Sequence, residues 1–386
     1  MANSAFNTVA SKLRLAMIGG GPGSFIGPIH RSAALMFNRY EIVAAVLSSD
    51  PERSRSAAAG LGVDRGYGDA FELIARESQR DDGAQVVAIL TPNDSHAALA
   101  AAAMEAGLAV MCEKPLGIDL PSAYRLEALQ LQRNALFAIS MSYSAYPMVR
   151  QARAMVAEGM LGEIRMLQGQ YIQGHLAAPK PRTGQGKHFW HLDEKKVGPS
   201  LILGDIGTHV FHLLHFVSRQ IPAEISADVC NLVPENAVED YAAVLMRYSN
   251  GARASLQITQ AAAGGVHGLS FAIYGEKGGL LWHQEQPNEL IFRPHNGPIQ
   301  TLCRGANYLH PAAHIASRVA LGHPEGYRET FATIYLEFSE AFAAHQENRT
   351  PPPFLWYPTL SDGILGMRFI DAGVRSREAG GGWVEF

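Results

Sequence analysis

The stretch LRLAMIGGG, residues 13–21, decides the fold. Leu13 to Ile18 form a short apolar run that ends directly in Gly19, Gly20 and Gly21. A continuous apolar run of that length, bounded by glycines, is the pattern of a strand covered on both faces. A helical pattern over Ile29 to Phe37 follows, with Gly27 ahead of it. A strand-to-helix turn that holds a dinucleotide needs one glycine for the tight turn. It needs a second where backbone approaches the pyrophosphate, and a small residue where helix packs on strand. Gly19, Gly21 and Gly27 fill those places. Three more residues than the common spacing allows fall before Gly27, which we read as a lengthened turn beside the phosphates.

Outward from this turn the pattern repeats. Apolar runs at 41–47 (EIVAAVL), 84–90 (AQVVAIL), 109–112 and 136–140 alternate with helical segments at 51–59, 70–77, 96–106 and 121–134. Buried strands alternating with helices predict a parallel sheet covered on both faces, hence an N-terminal Rossmann domain over residues 1–142. The rhythm changes from residue 143. A helix over Tyr146–Glu158 precedes strand patterns at 164–173, 225–233, 242–248, 252–259 and 269–274. KGGLLW at 277–282 leads into a pair near 289–293. A polar loop is expected from Ala178 to Gly198, and helices return at 327–345 and 360–375. Runs of strands with few helices predict a C-terminal α+β domain over 143–386 with an open, mainly antiparallel sheet. An open face of that kind tends to pair, so a homodimer or homotetramer is expected.

Composition excludes several classes. Among 386 residues the formal charge is −4 and no long Lys/Arg run occurs, which argues against nucleic acid as a partner. No apolar run is long enough to suggest a membrane span, and the first residues lack the apolar core of a secretory signal. The three cysteines, Cys112, Cys230 and Cys303, are widely spaced and include no C-x-x-C pair, as expected of reduced thiols. The cytoplasm is the expected compartment.

The end of the second strand bears on the choice between NAD and NADP. An acidic residue there would bond the adenosine ribose and repel a 2′-phosphate. The chain offers Ser48, Ser49 and Asp50, with Arg53 beyond. Serine tolerates a 2′-phosphate and Arg53 could pair with it, while Asp50 could serve the ribose or cap the next helix. Both cofactors stay open, with a lean to NAD. Thr91-Pro92-Asn93 and Glu113-Lys114-Pro115 end two further strands, where ligands bind in such sheets. Thr91, Asn93, His96 and Glu113 are therefore candidate cofactor contacts, and Lys114 could bond both ribose and a reacting hydroxyl. His30 is either near the nicotinamide or packed in the core. In GDIGTH, residues 204–209, the four-residue spacing of Asp205 and His209 puts both on one face of a predicted helix. His209 can accept a hydroxyl proton and Asp205 can orient it. A metal reading of Asp205, His209 and His212 is set aside, and no metal is expected.

Taken together, IGGG near the start, TPNDSH at 91–96, AGLAVMCEKPL at 106–116, LGEIR at 161–165, GDIGTH at 204–209 and YGEKGGLLW at 274–282 carry a resemblance over nearly the whole chain. The sequence resembles the Gfo/Idh/MocA oxidoreductases, which include glucose–fructose oxidoreductase and inositol dehydrogenases. The resemblance implies a Rossmann domain joined to an open-faced α/β domain, NAD or NADP as cofactor, and sugars, cyclitols or related polyols as substrates. It implies Lys114, Asp205 and His209 as the catalytic trio. It places Tyr143 and Tyr146 at the pocket, matches Trp190 and Asp193 to a W-x-x-D stretch, and brings His323 within reach. The chain departs from the pattern at the long glycine turn, at Ser48 in place of the usual acid, and at Gly198–Gly204, where many members have a glycine triplet.

Three functions fit these residues. The first is a sugar or cyclitol dehydrogenase. The second is an NAD-dependent glycoside hydrolase that works by transient oxidation and elimination, which needs the same trio. The third is a non-catalytic dinucleotide-binding regulator, against which the intact trio argues.

Overall fold

The computed structural model describes residues 12–179 and 189–386, so the middle of the expected loop at 178–198 lies outside the described residues. The chain divides into two compact units.

Among the described residues the first unit holds six strands: β1 (Leu13–Gly19), β2 (Tyr40–Val46), β3 (Arg65–Gly66), β4 (Val86–Leu90), β5 (Ala109–Cys112) and β6 (Phe137–Ile139). Between them run α1 (Ile26–Met36), α2 (Pro51–Gly60), α3 (Ala70–Glu77), α4 (Asn93–Glu105) and α5 (Leu120–Arg133). All pairings are parallel and the order is β3-β2-β1-β4-β5-β6, the doubly wound order of dinucleotide-binding sheets. Each of Val86 to Leu90 is buried, as expected of a strand with helices on both faces. Aspartates start three helices by accepting a backbone N–H: Asp50 from Arg53, Asp69 from Glu72 and Asp119 from Ser122.

The second unit begins with α6 (Pro147–Ala157) and β7 (Ile164–Ile172), followed by the short α7 (Glu194–Val197) and α8 (Thr208–Ser218). Strands β8 (Glu224–Cys230), β9 (Tyr241–Arg247), β10 (Arg253–Thr259), β11 (Ser270–Gly275), β12 (Gly278–His283), β13 (Glu289–Pro294) and β14 (Gln300–Cys303) follow, then α9 (Pro311–Ala316). The chain closes with α10 (Tyr327–Gln346), α11 (Leu360–Glu378) and β15 (Val384–Glu385). The sheet runs β14-β13-β12-β11-β7-β10-β9-β8-β15 and every pairing is antiparallel except β10 with β7. Short β3, β14 and β15 and the one-turn α7 were not foreseen, since two to four residues carry no periodicity.

One segment groups differently from the chain split at 142/143. Residues 327–364 belong with the first unit. The reason is polar as well as apolar: Tyr40 Oη donates to the Tyr335 carbonyl (2.9 Å), and Ile139 N–H donates to the Pro358 carbonyl (2.9 Å).

In the second unit, Gly169 lies at the middle of β7, and a Cβ there would sit 2.5 Å from Val210 Cγ1 and 2.9 Å from Leu256 Cδ2. The glycine lets α8 lie directly on the sheet. Gly169→Ala must push Val210 and its helix outward, so we expect a loss of about 1–3 kcal/mol, read as a lower urea midpoint. An unchanged midpoint would mean that α8 yields freely at this contact.

Candidate active site

In the first unit, sterics dictate the glycine turn. A Cβ on Gly19 would lie 2.5 Å from the Leu90 carbonyl oxygen, on Gly21 1.9 Å from that of Leu47, and on Gly27 1.9 Å from that of Gly20. Gly19 and Gly20 also have φ of 88° and 68°, conformations that favour glycine. All four glycines are needed, so Gly20, passed over in the sequence reading, belongs with the other three. Gly21 makes room for β2 backbone, and Gly27 for the turn itself. The extra residues act as a cap: Ser24 N–H donates to Gly21 O (3.0 Å), and Gly27 N–H donates to Ser24 Oγ (3.2 Å). The helix therefore starts three residues earlier than expected, at Ile26. A compact glycine turn feeding a helix N-terminus at the end of β1, where the strand order reverses, fits a dinucleotide pyrophosphate.

At the end of β2, Asp50 caps α2 through Oδ1 (2.7 Å to Arg53 N) and Ser48 Oγ accepts the Asp50 N–H (3.1 Å). Ser49 and Arg53 are exposed and Ser48 is half-buried. At the ends of β4 and β5, the buried His96 ring has Nε2 2.7 Å from the Thr91 carbonyl oxygen and Nδ1 2.7 Å from that of Pro115. A neutral ring carries one N–H and donates to one of these carbonyls at a time, so His96 packs between the two strand-end turns and bonds one of them. Burial depresses its pKa, against the pull of those two carbonyls. Ser95 Oγ donates to Thr91 Oγ1 (2.6 Å), and Asn93 opens α4 as a buried residue. The Lys114–Pro115 peptide is cis, and Lys114 is half-buried.

Glu113 anchors the same turn. Its Oε1 lies 2.8 Å from His30 Nε2, and His30 Nδ1 lies 2.8 Å from Tyr335 Oη. Its Oε2 accepts the Lys114 backbone N–H at 3.2 Å. The His30 ring thus links the Tyr335 phenol to the Glu113 carboxylate, with Nε2–H donating to the carboxylate. Burial keeps the Tyr335 phenol protonated by raising its pKa. Burial alone would raise the Glu113 pKa as well. The hydrogen bond and charge of His30, with Lys114 nearby, more than offset this and hold the carboxyl below its ordinary value. His30 is thus a buried bracing residue, and Tyr335 is a member that no local motif announced.

In the second unit, Ser200 Oγ accepts the Leu203 N–H (3.3 Å) and starts the helix that leads into α8. Leu201, Ile202 and Leu203, in the segment that departs from the glycine triplet, are buried. Residues Leu203–Gly207 form a π-helical turn, so Asp205 stands in a widened turn and His209 in the first turn of α8. The expected single α-helical face is replaced by an i→i+5 turn, a feature frequent at functional sites. Asp205 Oδ2 accepts from Gln260 Nε2 (2.9 Å). The buried His209 ring meets the Tyr143 ring at 4.8 Å and 89°. Tyr143 Oη lies 2.8 Å from Tyr171 Oη and 3.0 Å from His267 Nε2. Tyr146 packs on Trp282 (5.3 Å) and accepts from Gln284 Nε2 (3.3 Å). Tyr143 and His209 therefore share one neighbourhood with Tyr171 and His267, while Asp205, four residues before His209, is held by Gln260. Tyr171, Gln260 and His267 lie on strands or loops with no distinguishing spacing, which is why sequence reasoning missed them.

Two expectations find other settings. Trp190 packs against Leu176, Val197, Leu201 and Val238, and Asp193 accepts from Lys195 N–H (3.1 Å) to cap α7. The His323 carbonyl accepts from the buried Arg304, which also pairs with Glu325 at 2.8 Å. His323 is an exposed residue of a loop held by that ion pair. Among the described residues no three His, Cys, Asp or Glu side chains group as metal ligands, and no helix is long and apolar enough to cross a membrane.

The Glu113 brace has a pH signature. A carboxyl whose pKa falls on folding stabilises above its unfolded pKa of about 4.3, and loses that stabilisation as pH falls through the lower folded value. Glu113→Gln should cost about 1.5–3 kcal/mol at neutral pH, and the difference from wild type should shrink as the wild-type carboxyl protonates. Urea unfolding at pH 7 and near pH 3 checks this. An equal difference at both would show that the carboxylate charge contributes nothing.

Comparison with known proteins agrees with this architecture. Residues 13–140 match the family model for the oxidoreductase family with an NAD-binding Rossmann fold, and residues 149–281 match the GFO/IDH/MocA C-terminal domain. An uncharacterized oxidoreductase of Bacillus subtilis (strain 168), YfiI, is 35% identical over 98% of both chains. An inositol dehydrogenase homolog from Azotobacter vinelandii, solved with NAD+, superposes with a TM-score of 0.95 at 37% identity over 100% of both chains. The same homolog with NADH and myo-inositol gives 0.90 at 37% over 98% of both. Levoglucosan dehydrogenase of Pseudarthrobacter phenanthrenivorans is 26% identical over 72% of this chain and 75% of its own. The chain belongs to the Gfo/Idh/MocA oxidoreductase family, with an NAD-binding Rossmann domain at its N-terminal end.

Proposed function

We propose that the protein is an NAD-dependent dehydrogenase that oxidises a secondary hydroxyl of a cyclitol or sugar, with Lys114, Asp205 and His209 as its catalytic groups. The observation that carries this reading is the polar neighbourhood of His209. A buried imidazole on the first turn of α8, set against a fixed tyrosine and four residues after a carboxylate held by Gln260, has the makings of a placed proton acceptor. The Azotobacter homolog solved with NADH and myo-inositol favours a cyclitol as the first substrate to try.

When bound, NAD supplies the hydride acceptor, and the chain's residues do the rest. The turn of Gly19, Gly20, Gly21 and Gly27 holds the pyrophosphate against the head of α1. Lys114 Nζ donates to the reacting oxygen and favours loss of its proton. A ring nitrogen of His209 takes that proton, and Asp205 orients the hydroxyl or the imidazole. The Asp50 carboxylate at the end of β2 favours NAD over a 2′-phosphorylated cofactor, which Ser48 alone would tolerate. Thr91 and Asn93 border the cofactor, while His96 and Glu113 hold the turns that carry its contacts.

The test is reduction of NAD, and separately of NADP, across inositols, free sugars and glycosides. Wild-type protein should reduce NAD with at least one cyclitol or sugar. Lys114→Ala and His209→Ala should each lower kcat by about 10²–10⁴ while still binding NADH. Glycoside cleavage without net cofactor reduction, or full turnover in either variant, would overturn the assignment.

A further inference from the structure

Tyr143, Tyr171 and His267 form a closed triangle of polar atoms. Tyr143 Oη to Tyr171 Oη is 2.8 Å, Tyr143 Oη to His267 Nε2 is 3.0 Å, and Tyr171 Oη to His267 Nε2 is 2.9 Å. Both tyrosines are buried, at 3% exposure each. The far side of the imidazole is held too, with Nδ1 3.4 Å from Gln173 Nε2.

The loop that carries His267 is pinned independently. Glu285 Oε1 accepts the backbone N–H groups of both His267 and Gly268, each at 3.1 Å. Gly268 has φ of 65°, and a Cβ there would lie 2.8 Å from the Ile172 carbonyl oxygen of β7. Tyr171 is itself a residue of β7, paired in register with Ile258 of β10. The triangle therefore rests on the centre of the sheet, not on a free loop.

What the triangle holds is the Tyr143 ring, which stands perpendicular to the His209 ring at 4.8 Å. A perpendicular aromatic contact depends on ring orientation. A phenol tethered at its oxygen by two partners cannot tilt without losing them. We propose that His267 and Tyr171 are positioning residues, which fix Tyr143 against His209 and so set the orientation of the proton-accepting imidazole. This rests on the reading of His209 as the proton acceptor. It adds two residues, from β7 and from the loop between β10 and β11, to the machinery of that step.

A triangle that served only stability would lower the unfolding midpoint and leave His209 as it was. The test therefore observes His209 directly. Protein labelled with 15N at histidine is examined by imidazole NMR, and the His209 signals are assigned by their loss in His209→Gln. In His267→Ala and in Tyr143→Phe the His209 ring signals should move. The kcat for the substrate found above should fall about five- to tenfold, the equivalent of one hydrogen bond, with KM changed less than kcat. The double variant should be no worse than the weaker single variant, and His267→Gln, which can still donate to the phenols, should recover most of the loss. Tyr171→Phe, which keeps the packing, provides the same readout if His267→Ala fails to fold. His209 signals that match wild type in folded His267→Ala and Tyr171→Phe would overturn the positioning role. Full turnover in His209→Gln would instead overturn the proton-acceptor reading on which the catalytic consequence rests.

Discussion

Close backbone approach is the constraint on which the first unit depends. The carbonyl oxygens of Leu47, Leu90 and Gly20 occupy the space that side chains at Gly21, Gly19 and Gly27 would need. β1 can be central, flanked by β2 and β4, only if the turn leaving it folds back between their ends. The turn then ends in a helix whose dipole favours an anion at its head, although Ser24 caps the Gly27 N–H and Pro28 has none to offer. The long insertion, which read as a departure from the fingerprint, thus becomes the device that starts α1 one turn early.

The turns at the ends of β4 and β5 are braced by buried and half-buried side chains. His96 packs between the Thr91 and Pro115 carbonyls and donates to one of them, and Glu113 is tied through His30 to Tyr335. The second unit repeats the arrangement: Gly169 lets α8 lie on β7, the π turn lifts Asp205 toward Gln260, and the tyrosine–histidine triangle backs Tyr143. In both units a residue proposed as catalytic sits on an element whose position is fixed by contacts one layer away. That is the condition for holding a group within a fraction of an ångström of a productive geometry.

The legibility of the sequence follows from the range of the signals. Strands longer than about five residues, and helices with an apolar face, announce themselves by periodicity. β1, β2, β4, β7 and β9 to β13 were placed to within a residue or two, whereas β8 ends three residues before its expected end and β14 and β15 gave no signal. Glycine roles were read only as far as local spacing reaches, so Gly20 was passed over. The π turn was invisible because Leu-Gly-Asp-Ile-Gly fits an α-helix equally well by pattern. Tyr335, Tyr171, Gln260 and His267 were missed because their partners lie far off in the chain. Trp190 and His323 rest on motif matches alone: the first packs on an apolar cluster and the second lies on a loop held by an ion pair.

The most direct test of the central claim follows the hydrogen itself. Cyclitols and sugars deuterated at carbon are incubated with the protein and NAD, and the reduced cofactor is weighed by mass spectrometry. The account predicts reduced cofactor that carries one deuterium from the substrate carbon, with none acquired from solvent when the labelling is reversed. Reduced cofactor without substrate deuterium, or substrate turned over with its carbon-bound deuterium exchanged into water, would contradict it.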